Sequence, residues 1–180
     1  MENQFLKVGG DFMDAIGKIK IIMHTGKYDL KKEKILNGEI IEEINIHNII
    51  VDSASKILAN CLAGKTGFNI NNIKLGTISN QNENHKITNL SSTNTINIDI
   101  NEKFFVDKNG QYVYDNEKDI NDRYLISGIA FCAEKNSQEI GNEIKEMGLF
   151  SNNLIFSYKK MKECLIPPDT EISIIWKIIF

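Results

Sequence analysis

Between residues 44 and 62 the apolar residues change rhythm, and that change limits the fold more than any other stretch of the chain. Ile44, Ile46 and Ile49 carry a strand-like pattern, whereas Ala54, Ile57, Leu58, Cys61 and Leu62 follow the i, i+3, i+4, i+7, i+8 stripe of a half-buried helix. A strand therefore feeds a helix over about 52–63. Asp52 or Ser53 is placed to accept from the first free backbone N–H groups, and Gly64 to take the left-handed conformation that ends the last turn.

No second helical pattern of this strength follows, so the helix needs a sheet to bury its stripe. Alternation marks strands at 18–25, 35–50, 68–78, 96–105, 144–150, 154–158 and 171–180. Residues 125–133, LISGIAFCA, are apolar on both faces and read as a central, covered strand. Asn109-Gly110 inside FFVDKNGQYVY and Asn37-Gly38 both signal hairpins. The last strand alternates Ile172, Ile174, Trp176 and Ile178 with Ser173, Ile175, Lys177 and Ile179. The pattern predicts a mainly β chain: an antiparallel β-sandwich of about eight to ten strands with one α-helix packed on it.

Residues 1–17 form an arm with Phe5, Leu6, Val8, Phe12, Met13 and Ile16, too apolar to stay free in water and broken by Gly9 and Gly10. Residues 18–180 form a single domain. Its stretch 79–95, rich in Asn, Ser and Thr, is expected to be a mobile surface loop with little to bury.

Composition narrows the function. A chain of 180 residues buries roughly 70% of its unfolded surface and needs no disulfide or metal to fold. A net charge of -3, with Arg123 the only arginine, gives no attraction to nucleic acid or anionic membranes. No apolar run approaches the ~20 residues that span a bilayer, and the first residues lack the basic flank and apolar core of a secretory leader. Cys61, Cys132 and Cys164 stand far apart in apolar runs and are expected to be buried, reduced thiols.

Motifs with chemistry fail on spacing. Gly64-Lys65-Thr66 follows a helix where a phosphate loop must precede one, and Ala59 stands where its first glycine belongs. Asp107-Lys108-Asn109-Gly110 would put Phe105 and Asn116 at the two carboxylate positions of a calcium loop, so a hairpin turn is expected instead. His24, His47 and His85 have no His or Cys neighbour at metal-ligand spacing. Glu143 and Glu146 read as a solvated acidic face, and no nucleophile elbow is present. No catalytic, cofactor-binding or metal residue is assigned, and the chain is not expected to be an enzyme.

Four segments taken in order resemble a family of small structural proteins from the tail, baseplate and fibre regions of tailed bacteriophages and related contractile particles. They are Asn48-Ile49-Ile50-Val51-Asp52-Ser53-Ala54 with Leu62-Ala63-Gly64 after it; Ile73-Lys74-Leu75-Gly76-Thr77; Ile144-Lys145-Glu146-Met147-Gly148-Leu149-Phe150 with Leu154-Ile155-Phe156-Ser157; and residues 172–180. Ala54 stands where that family usually has Gly, and Ile78 replaces the Gly after Gly-Thr. The resemblance implies a non-enzymatic virion component of the tail, baseplate, fibre attachment or neck. It would assemble in the bacterial host cytoplasm through contacts with its own copies and other virion proteins. Phe5, Leu6, Val8, Phe12 and Met13 in the arm, with Ile175 and Ile179 on the outer face of the last strand, are the expected subunit contacts. The alternative is a receptor- or glycan-binding module of the same particle, meeting a host surface receptor through Tyr112, Tyr114 and Tyr124 as a stacking platform.

Overall fold

The computed structural model describes residues 5–8, 11–113, 126–162 and 164–180, with backbone alone for 5–8 and 11–14. In chain order the strands are β1 (Phe5–Val8), β2 (Asp11–Asp14), β3 (Ile16–His24), β4 (Lys27–Asp29), β5 (Lys34–Asn37) and β6 (Ile40–Ile50), followed by helix α1 (Ser53–Leu62). Then come β7 (Asn72–Gly76), β8 (Thr95–Asp99), β9 (Glu102–Val106), β10 (Gly128–Asn136), a short helix α2 (Ser137–Ile140), β11 (Glu146–Ser151), β12 (Leu154–Lys160) and β13 (Glu171–Ile179). The mainly β, antiparallel architecture with one long helix is the one the pattern of residues predicts.

Nine strands make one antiparallel sheet in the order β8-β7-β11-β12-β6-β3-β13-β10-β9, and β1–β2 and β4–β5 are separate hairpins. Two places bend this sheet into two layers. The long β6 pairs with β3 through residues 40–48 and then with β12 through Ile49 and Ile50. At the other side β8 and β9 are parts of one ribbon, interrupted only at Ile100 and Asn101; β8 pairs with β7 and β9 with β10. The bend itself is bonded to both layers, since Ile100 N donates to Asn71 O (3.0 Å) and Asn101 N to Cys132 O (2.9 Å). The strand order thus begins and ends on the same stretch of chain, and the sheet closes into a flattened barrel.

The inner faces meet in one core. β3 contributes Ile19, Ile21 and Met23, β13 contributes Ile172, Ile174, Trp176 and Ile178, and these pack against Ile73, Leu75, Ile98, Met147, Leu149 and Phe156 of the other layer. Each such side chain, when fully buried, contributes about 1.5–3 kcal/mol relative to exposure. A bulge between Leu149 and Phe150 in the β11–β12 register lets Phe156 turn inward while Ile155 and Tyr158 face out.

Both outer faces are covered as well, which alternation alone could not show. Over the β13 layer the β4–β5 hairpin lays Tyr28, Leu30 and Ile35 on Ile22, Ile175, Ile179, Ala130 and Cys132. Ile175 and Ile179, expected on an open outer face, are therefore 0% and 4% exposed beneath the chain's own hairpin and β9. Over the β11 layer the polar stretch 79–95 buries Ile87 and Leu90 against Phe150, Ile155 and Tyr158. It has more to bury than its composition suggests, because two apolar residues suffice to seat it.

The Asn37-Gly38 signal also resolves differently from the expected hairpin. β5 pairs backwards with β4, while β6 passes on to pair with β3, so this dipeptide is where the β4–β5 excursion rejoins the sheet. Thr25 N donates to Glu39 O at 3.0 Å, and Gly38 has φ +92° with its would-be Cβ 2.1 Å from Thr25 O, a position open only to glycine. The Asn109-Gly110 turn forms as expected, with Asp107 Oδ1 accepting from the backbone N–H groups of Asn109 and Gln111. Among the described residues its second strand is a single bridge at Tyr112, with Val113 N donating to Phe105 O (2.8 Å), and residues 114–125 lie outside the described residues.

Candidate functional site

Helix α1 is pinned at its start. Asp52 N donates to His85 O (2.8 Å) and Ser53 Oγ to Ile155 O, tying the first turn to β12 and the polar stretch; Asp52 makes no side-chain cap. Its end closes as predicted, with Gly64 at φ +69° and Lys65 N donating to Asn60 O (3.0 Å). The apolar stripe, however, is only half used. Ala54 and Ile57 are buried and Leu58 is partly buried, but Cys61 is exposed and Leu62 is 89% exposed. The expectation of a buried Cys61 fails for this reason: the helix runs past the end of the barrel before its stripe ends.

Leu58 forms one wall of an open apolar groove of about 590 Å³ at that end of the barrel. Ile70, Phe105, Ile126, Ile129, Phe156 and Phe180 are among the rest of its lining, where β10 begins and β13 ends. Among the described residues the lining holds no titratable side chain and one hydroxyl, Ser127, so the groove suits apolar contact. The N-terminal arm leaves the barrel at the same end, because Ile16 pairs with Ile179, and β1 runs beside α1. In the arm, Leu6 stands opposite Met13, Phe5 opposite Asp14, Lys7 opposite Phe12 and Val8 opposite Asp11; where those side chains go lies outside the described residues. The sequence pointed to the arm but not to the groove, whose residues come from six separate stretches of the chain.

Two polar clusters and two buried thiols invite comparison with catalytic sites. Ser173 Oγ lies between His24 Nε2 (2.9 Å) and Glu134 Oε1 (3.0 Å), on three adjacent strands. The hydroxyl is in the middle where a triad puts the imidazole, and Ser173 is 0% exposed, so it cannot meet a substrate. Glu146, expected on a solvated face, is 0% exposed and accepts from Ser92 N (2.8 Å) and Tyr158 OH (2.9 Å), an arrangement that locks the polar stretch to β11. Burial pushes the Cys132 thiol up to about 12 and the Cys164 thiol up to about 11, which removes both as nucleophiles at neutral pH.

Among the described residues no group of three or more His, Cys, Asp or Glu is placed to hold a metal ion, and no helix is long and apolar enough to cross a membrane. Tyr112 is half-buried, edge-on to Phe104 at 5.3 Å with Lys177 Nζ 4.6 Å from its ring centre; Tyr114 and Tyr124 lie outside the described residues. Comparison with models of known families, with curated proteins and with solved structures finds no match to this chain.

Proposed function

We propose that the protein is a non-enzymatic structural subunit that assembles with copies of itself through the open end of its barrel, and that its setting is the virion of a tailed phage or a phage-like particle. The observation that carries the assembly reading is the unfinished stripe of α1: Leu62 stands in water four residues after Leu58, which already walls an apolar groove. A helix face of this kind is costly to leave bare and is worth covering with another apolar surface. The fitting occupant is the N-terminal arm of a second copy, since the arm carries Phe5, Leu6, Val8, Phe12 and Met13 and departs from the same end. The particle setting is supported by the ordered resemblance of four segments, and by an acidic chain with no clustered catalytic groups on the described surface.

The receptor- or glycan-binding alternative loses support at Tyr112, whose ring is engaged by Phe104 and Lys177 and is not free to stack on a sugar. Size-exclusion chromatography with light scattering tests the assembly reading. The intact chain is expected to run as an oligomer, with Leu62→Glu and deletion of residues 1–14 each shifting it toward monomer without loss of β-sheet circular dichroism. A monomer throughout the micromolar range overturns assembly. Fitting the chain to density of an intact particle tests the setting separately.

A further inference from the structure

On the outer face of the β13 layer, beside the β4–β5 hairpin, basic side chains stand side by side across three strands. Lys177 on β13 is the direct partner of Lys18 on β3, and Lys18 is the direct partner of His47 on β6. One step along, Lys20 is opposite Asn45. Like charges directly opposite one another weaken a sheet, so a row of this kind needs a compensating anion. The chain supplies one in part. Glu33, held at φ +46° in the turn of the hairpin, reaches Lys177 (2.6 Å) and Lys20 (3.0 Å), and Glu43 lies 3.4 Å from Lys20. Lys18 and His47 have no acidic partner among the described residues.

Lys18, Lys20, Lys177, Glu33, Asn45 and His47 line an open cavity of about 400 Å³ together with Ile175 and the adjoining β3 and β6 positions Ile19 and Ile46. We infer that the cavity between Lys18, His47 and Asn45 is a binding site for a small oxyanion, either a phosphate monoester or a carboxylate. Lys18 contributes an ammonium with no acidic partner among the described residues, Asn45 the second N–H of an amide that already donates to Glu43 Oε1 (2.9 Å), and His47 an imidazole at the rim. Lys20 and Lys177 are half-buried, so their field reaches into the cavity with less screening than an open surface allows. Glu33 is then a resident competitor: its carboxylate occupies the cations an incoming anion would otherwise share. A long polyanion does not fit this reading, because the whole chain carries a net charge of -3.

The test is an amide-shift titration of the ¹⁵N-labelled full chain in low salt, with inorganic phosphate in one arm and acetate in the other. Saturable millimolar shifts confined to residues 17–20 and 45–48 are expected, stronger for phosphate if the ligand is a phosphate monoester and equal for acetate if it is a carboxylate. Lys18→Gln should weaken binding by roughly fivefold, and Glu33→Gln should strengthen it by a similar factor. The second variant separates ligand binding from fold maintenance, since a merely structural clasp predicts no gain on losing Glu33. Absence of saturable shifts with both probes, or an affinity unmoved by Lys18→Gln, overturns the inference.

Discussion

The two outer faces of the barrel are covered by two different means, and the contrast separates what holds the fold from what is left for function. Over the β11 layer, the stretch 79–95 is seated by Ile87 and Leu90 and locked by Glu146, which is fully buried and bonded by a backbone N–H and a tyrosine hydroxyl. Over the β13 layer, the β4–β5 hairpin is seated by Tyr28 and Leu30 and locked by Glu33, which is 21% exposed and bonded by two lysines. Both locks are carboxylates on a covering element or beneath one. One is sealed with neutral donors and has nothing further to offer; the other sits at a rim where water and ligands can compete for the same cations.

The largest effect should therefore come from the sealed side. Glu146→Ala strands the buried Ser92 N–H and removes the 2.9 Å acceptor of Tyr158 OH, so a loss of about 3 kcal/mol is expected. Burial pushes the Tyr158 hydroxyl up to about 12, so it cannot ease the loss by ionising near neutral pH. Phe150→Ala, which empties a 0% exposed site under the same cover, should cost about 3–5 kcal/mol. Urea unfolding monitored by circular dichroism measures both, and values under about 1 kcal/mol would break the claim that this cover is a sealed seam.

Gly38→Ala comes next. A Cβ at that position meets backbone on a φ of +92°, so the base of the β4–β5 hairpin must shift, at a cost of about 1–3 kcal/mol. Because the hairpin is the lid on Ile22 and Ile175, amide hydrogen exchange in β3 and β13 should rise in this variant while that of β11 stays put. Equal loosening of both layers would show that the two covers are not independent.

Much of this plan was legible in the residues, and the parts that were not share a cause. Period-2 alternation located β13 and β11, and the change of rhythm after Ile50 located α1, because these signals are carried by one continuous stretch. The β4–β5 hairpin was missed because its strands are three and four residues long and its closing Asn37-Gly38 looks like a turn between neighbours. Which strand Gly38 serves is decided by the pairing of β3 with β6, a long-range choice that overrides local turn chemistry. Glu146 looked solvated for the same reason: Ser92, which satisfies it, lies 54 residues away. Leu62 fits its stripe as well as Ile57 does; only the position of the barrel end makes one exposed and the other buried. The row of basic side chains was likewise hidden, since Lys18, His47 and Lys177 are adjacent only through strand register.

The smallest expected change, and the one that sharpens the contrast most, is Glu33→Gln. Burial alone would raise the Glu33 carboxyl, but hydrogen bonds and charge from Lys177, then Lys20, outweigh it and hold the group below its ordinary 4.5. A carboxylate with a depressed folded-state pKa adds stability above its unfolded value and loses it as pH falls through the folded one. The clasp is thus intact at neutral pH and fades on acidification below 4.5. At the basic end the sign reverses: burial pulls Lys20 down, Glu33 and Glu43 outweigh it, and its contribution holds up to 10.5 and is lost above that as its raised folded pKa is passed. Glu33→Gln keeps the size of the side chain and removes the charge, so it should cost about 1 kcal/mol at pH 7. The variant's deficit should then shrink toward zero in acid, where the intact chain has lost the same clasp. A deficit independent of pH, or one as large as that of Glu146→Ala, would mean that Glu33 is sealed like its counterpart and that the rim is no place for an anion to compete.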